Sequence, residues 1–205
     1  MKPIFKKGNT KDPDNYRGLA IGSTFAKLFS FILLKRLVEF MDLKEILSPE
    51  QIGFIKGKCT SDHIFFLQTV VEKVVKKNKK KLYAVFIDFK KAYDTVNREF
   101  LMRKLKSLGI NGTFMRNIEA MYGKTEYYLK LKGGHTPAIK SNLGLKQGCP
   151  LSPILFNLYI DDIKGIFDEH CDPIYIQNTK VNHFLYADDL VILSLREQNR
   201  PPGMY

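Results

Sequence analysis

Phe184-Leu185-Tyr186-Ala187-Asp188-Asp189-Leu190-Val191-Ile192-Leu193 sets an acidic dipeptide between two apolar runs of four residues. Runs that short are strand length, and aspartate favours turns, so the pattern predicts a β-hairpin with the acids at its tip. A second acid closes another apolar run. In Leu82-Tyr83-Ala84-Val85-Phe86-Ile87-Asp88-Phe89 every residue before the aspartate is apolar or aromatic, as in a strand covered on both faces. An ionised carboxylate there costs free energy unless it is paired or metal-bound. Three strand-end carboxylates point to two oxygen-ligated divalent ions about 4 Å apart, the arrangement that stabilises the attacking and leaving oxygens of a phosphoryl transfer. Asp88 and Asp188 are then expected to converge within metal-bridging distance. Taken singly, each acid reads more readily as structural, Asp188-Asp189 as a turn and Asp88 as a strand-end cap.

Asp161-Asp162 is the internal control, an identical dipeptide in a different setting. Ser152 reads as an N-cap and Pro153 as a first-turn residue, so a helix is expected over 153–167, with the acid pair on its solvated face. Further helices are expected near 24–40, 61–76, 97–108 and 113–122. The one at 97–108 starts on Asn97, a good cap, carries Leu101, Leu105 and Leu108 on one face, and stops at Gly109. Strands are expected near 82–88, 126–132, 137–141, 182–187 and 190–194, with Gly133-Gly134 turning the second pair. Helices mixed with antiparallel hairpins make an α+β class.

Lys and Arg number 33 against 21 Asp and Glu, a net charge of +12 that favours a polyanionic partner without saying which. Lys76-Lys77-Asn78-Lys79-Lys80-Lys81 concentrates part of that charge after a helix, and it reads equally as a solvated helix end or a template-binding loop. The three cysteines, Cys59, Cys149 and Cys171, form no Cys-x-x-Cys pair, which fits free thiols in a reducing, intracellular compartment and indicates no zinc site. Met1 to Lys7 has no apolar core of a signal peptide. The apolar helix around Leu28 to Val38 is interrupted by Lys35 and Arg36, too short and too charged to span a bilayer.

Five segments in order carry a family resemblance: Asn15-Tyr16-Arg17-Gly18, then Gln51 to Ser61, then Phe86-Ile87-Asp88-Phe89-Lys90-Lys91-Ala92-Tyr93-Asp94-Thr95-Val96, then Gly144-Leu145-Lys146-Gln147-Gly148-Cys149-Pro150-Leu151-Ser152-Pro153, then Tyr186-Ala187-Asp188-Asp189. Together they resemble the reverse transcriptases of non-LTR, LINE-type retrotransposons. The resemblance implies a right-hand polymerase palm with fingers, its antiparallel catalytic sheet on helices, and RNA-directed DNA synthesis. It implies that Asp88, Asp188 and Asp189, with the backbone carbonyl of Phe89, hold two Mg²⁺ ions, Mn²⁺ being a substitute. It implies that Tyr93 lies beneath the incoming sugar and selects deoxynucleotides, that Gln147-Gly148 lies against the nucleotide and template base, and that Arg17 grips the triphosphate through its guanidinium. LINE-type enzymes more often carry Phe at the position of Tyr93, and Pro at that of Gly18, where glycine is expected to loosen the turn. The implied partners are an RNA template, a DNA primer and a deoxynucleoside triphosphate, with no membrane.

The resemblance covers about residues 3–194, and residues 1–194 are expected to form one compact unit of interleaved fingers and palm, with 195–205 as an unrelated tail and no thumb after it. Two classes of function stay open on that basis. One is a catalytic palm, and the other is a truncated remnant that at most binds RNA or an RNA–DNA duplex through its basic face.

Overall fold

The computed structural model describes residues 1–123, 125–131, 133–177 and 179–195; the expected tail beyond Leu195 lies outside the described residues. Two compact units interleave along the chain. One comprises Met1–Ile46 with Lys91–Tyr159, the other Leu47–Lys90 with the chain from Ile160 onward.

In the first unit, β1 (Lys2–Phe5) and β2 (Tyr16–Leu19) pair antiparallel, followed by helix α1 (Thr24–Lys44). The short helix α3 (Ala92–Thr95) leads into α4 (Arg98–Ser107) and α5 (Gly112–Gly123). The Asn97 side chain accepts from the Phe100 amide as an N-cap, and Gly109 ends the element at φ +88°, both as the sequence predicts. Leu101 and Leu105 of α4, with Met115 and Ile118 of α5, are buried. The strand expected over 126–132 is two pieces, β4 (Thr125–Tyr127) pairing with β7 (Ile139–Ser141), and β5 (Lys130–Leu131) pairing with β6 (Gly134–His135).

Helix α6 (Ser152–Ile160) begins within a residue of the expected start, with Ser152 as its first residue and its hydroxyl turned to the Lys146 carbonyl rather than capping, and the helix does not run on to 167. It gives way at Asp161-Asp162 to a separate α7 (Ile163–His170) in the second unit. Asp161 is not on a solvated face either: its Oδ1 accepts from both the amide (3.0 Å) and the hydroxyl (2.8 Å) of Ser48. A carboxylate so engaged is anchored to another segment, whereas sequence spacing alone reads it as a free surface acid.

The second unit is built on a three-stranded antiparallel sheet in the order β10 (His183–Tyr186), β11 (Asp189–Ser194), β3 (Tyr83–Asp88). Helix α2 (Thr60–Val71), prolonged by a π-helical turn Glu72–Lys77, places Val70 and Val74 in one apolar cluster with Phe184 and Leu193. Phe167 of α7 joins the other cluster, with Leu185, Leu190 and Ile192. Alternate residues of β10 and β11 therefore serve opposite clusters, as the period of two requires. The same unit holds the β8 (Ile174–Ile176) and β9 (Thr179–Val181) hairpin.

Full coverage fails for β3, contrary to expectation. It lies at the sheet edge, and Val85 and Phe86 are 49% and 73% exposed. The central position, covered on both faces, belongs to β11. An apolar run records what a strand is made of, not its place in the sheet.

Candidate active site

Strand pairing decides the geometry of the acids. In the β3–β11 ladder Asp189 stands directly opposite Asp88, and on β10 it pairs with Tyr186. The hairpin loop is therefore Ala187-Asp188, not the two acids, one residue earlier than the sequence suggests. Asp189 is the first residue of β11, and Asp188 is the second residue of the loop. Directly opposed residues of an antiparallel ladder share a face, with Cβ atoms about 5 Å apart. In strand register it is Asp189, rather than Asp188, that meets Asp88.

The carboxyl of Asp189 is held above its ordinary pKa, first by partial burial and then by the negative charges of Asp188 and Asp88. Asp189 thus feels the charge of both other acids. Among the described residues, no three His, Cys, Asp or Glu side chains form a ready-made metal cage. The donor set still has the chemistry of a hard-cation site, since anionic oxygens on one strand pair repel until a cation lies between them. Phe89, whose carbonyl follows Asp88, is partly buried against the cluster of Phe167, Leu185, Leu190 and Ile192, which anchors the main chain there.

The remaining candidates belong to the first unit, where the structure brings most of them together. Gly144 has φ +78°, and a Cβ there would meet the Asp94 carbonyl at 2.7 Å, so only glycine lets this loop lie against α3. The Gly144 and Leu145 amides donate to the carbonyls of Val96 (2.8 Å) and Tyr93 (2.7 Å). The Gln147 amide nitrogen donates to Asp94 Oδ1 at 2.7 Å, and the Gln147 carbonyl accepts from the Ala20 amide at 2.7 Å. Gly148, at φ +100°, abuts Leu19 and Ala20 at the end of β2. Tyr93 stacks on Phe156, ring centroids 4.8 Å apart and planes 18° apart, so the ring has a firm backing.

Arg17 lies exposed in β2 opposite Ile4. Gly18 does not loosen a turn there; it is a strand residue paired with Pro3, where the Met1 thioether occupies the space of a side chain.

Two residues escaped the sequence reading. Asp94 orients Gln147, and Arg98 is buried with its guanidinium donating to the carbonyls of Gly144 (2.7 Å), Tyr122 (2.8 Å), Ser141 (2.6 Å) and Leu143 (2.9 Å). Arg98 thus ties α4 and α5 to the loop that ends in Gln147. Below it, the Ser152 hydroxyl donates to the Lys146 carbonyl at 2.8 Å and lies 2.9 Å from the Tyr122 hydroxyl. Lys146, its ammonium donating to the Met121 carbonyl, is held below its ordinary pKa by burial. An arginine at a helix start looks like surface charge, and nothing in the sequence pattern marks it as buried.

No helix among the described residues is long and apolar enough to cross a membrane. Residues 4–201 match the reverse transcriptase (RNA-dependent DNA polymerase) family. The chain is 30% identical over 93% of its length to a retrovirus-related Pol polyprotein from the type-1 retrotransposable element R2 of Popillia japonica, covering 26% of that protein. It is 26% identical, again over 93%, to a probable RNA-directed DNA polymerase from transposon BS of Drosophila melanogaster, covering 20% of it. The chain thus spans about a quarter or less of these relatives. Among solved structures, telomerase from Candida tropicalis, in complex with a fragment of telomeric RNA, superposes with a TM-score of 0.60 at 14% identity, over 85% of this chain and 30% of that one. The fold is therefore the α+β right-hand polymerase fold, and the chain belongs to the reverse transcriptase family, with relatives among non-LTR retrotransposon polyproteins.

Proposed function

We propose that this chain is the fingers and palm of an RNA-directed DNA polymerase that transfers a nucleotide from a deoxynucleoside triphosphate to the 3′-hydroxyl of a DNA primer on an RNA template. The observation that carries it is the register of Asp189 on Asp88, with Asp188 in the adjoining loop. Two Mg²⁺ ions, held by these three carboxylates and the Phe89 carbonyl, would supply the positive charge that the attacking and leaving oxygens require, with Mn²⁺ as a substitute. Tyr93, backed by Phe156, bars a 2′-hydroxyl from the sugar position. Gln147, oriented by Asp94, presents its amide to the nucleotide and template base, and Gly148 leaves room for close approach. Arg17 grips the triphosphate. The +12 net charge draws the template–primer duplex non-specifically.

The test is primer extension by the domain within a polypeptide of the length its relatives have. Asp88→Asn and Asp188→Asn keep side-chain shape and lose charge; each should cost ~4 kcal/mol of transition-state stabilisation, about a thousandfold in rate, with RNA–DNA binding largely kept. Undiminished synthesis by Asp188→Asn would remove that residue from the catalytic set. Undiminished synthesis by both variants would end the proposal.

A further inference from the structure

Resting on the polymerase reading, we propose that Gln51, with Gly53, is a positioning residue that sets the direction of Asp188 and Asp189 by clamping the residue before them. Ala187 is an L-residue with φ +56° and is 3% exposed. The left-handed region is disfavoured for a residue with a Cβ, so something must hold it there. The side chain of Gln51, itself 3% exposed, does so from both sides: its Oε1 accepts from the Ala187 amide at 3.0 Å, and its Nε2 donates to the Ala187 carbonyl at 3.3 Å. Ala187 has just left the β10 ladder and precedes the β11 ladder, so the glutamine amide takes the place of a strand partner for that one residue. The same Oε1 accepts from the Gly53 amide at 2.9 Å, which closes the clamp.

The clamp is itself anchored. Leu185 on β10 donates to the Glu50 carbonyl and accepts from the Ile52 amide, both at 3.0 Å, so residues 50–52 form a one-residue parallel bridge on the outer edge of β10. Ser48 is held by Asp161, and Glu50 meets Lys164 at 3.4 Å. Gly53 has its own reason to be glycine, since a Cβ there would collide with the Ala187 backbone nitrogen. Gln51 touches no reacting atom. Its effect passes through the backbone of Ala187 to the two carboxylates that follow.

The test uses Mn²⁺ binding to this chain, followed by the electron paramagnetic resonance of the free ion, and needs no turnover. Gln51→Leu should weaken Mn²⁺ affinity by about tenfold or more, the usual effect of losing a group that orients metal ligands. Adding Ala187→Gly should recover at least a several-fold part of that loss, because glycine adopts positive φ without the clamp. A merely structural role for Gln51 would not be rescued at that one position. Wild-type affinity in folded Gln51→Leu, or no recovery in the double variant, overturns the inference. Asp88→Asn separates the two failures: if it leaves Mn²⁺ binding unchanged, the polymerase reading itself falls. Hydrogen exchange at the Ala187 amide of the unsubstituted protein is independent of whether the variants fold. Protection is expected, and exchange at the free-peptide rate would show that no clamp exists.

Discussion

Replacing Asp189 with asparagine should stabilise the metal-free protein. Asp189 stands opposite Asp88 and beside Asp188, and its carboxyl is held above the ordinary range by partial burial and by those two charges. Cβ atoms about 5 Å apart put the opposed carboxylates roughly 6 Å apart, worth about 0.7 kcal/mol of repulsion in water and about 3 kcal/mol at an effective dielectric of 20. Asp189 is exposed overall, so the lower figure governs, and the two neighbours together cost about 1 kcal/mol. For a chain of this size that is a Tm higher by about 2–4 °C in Asp189→Asn, at pH 7, low salt and with EDTA present. The pH sign follows from the raised pKa. Between about 3.9, the unfolded value, and the raised folded value, the native state binds more protons than the unfolded one. Wild-type stability is therefore lost as pH rises through that window. The advantage of the asparagine should be full at pH 7, vanish below about pH 4, and shrink in 1 M salt, where the screening length is about 3 Å. Millimolar Mg²⁺ should reverse it, raising the wild-type Tm more than the variant's by mass action. Differential scanning calorimetry across pH, salt and Mg²⁺ reads each arm. A variant less stable than wild type at pH 7 with EDTA, or an advantage that persists at pH 3.5, would refute the repulsion that Asp88 and Asp188 exert on Asp189.

Arg98→Met should cost ~3 kcal/mol or more, because it strands backbone carbonyls that the guanidinium now serves; urea denaturation measures it, and a loss below ~1 kcal/mol would mean that water or another donor takes over. With a net charge of +12, nucleic-acid affinity should fall steeply as KCl rises, the logarithmic slope reporting how many phosphates are neutralised. Filter binding that is insensitive to salt would contradict an electrostatic origin.

Much of this protein follows from local chemistry that a sequence displays directly. Asn97 and Gly109 bound α4 because a cap and a positive-φ stop are properties of single residues. The three aspartates, Gln147 and Gly148 could be singled out as candidates because they sit in short segments that resemble a family's motifs in their order, and such segments are read without knowledge of the fold. Pairing and burial are different, because they depend on residues far apart in the chain. The hairpin loop falls on Ala187-Asp188 because Asp189 pairs with Tyr186, and the same residue must also pair with Asp88, about a hundred residues earlier; a one-residue slip would turn every side chain of β11 to the opposite face. Phe86 is exposed because β3 lies at the edge of the sheet and β11 at its centre, a choice no apolar run encodes. Asp161 breaks a helix to hold Ser48, Arg98 is buried among carbonyls, and Gln51 reaches Ala187, each through hydrogen bonds spanning dozens to more than a hundred residues. Sequence determines which groups are available for such bonds; only the closed chain determines which of them meet, because a polar side chain satisfies whatever unpaired donor or acceptor the fold brings within about 3 Å.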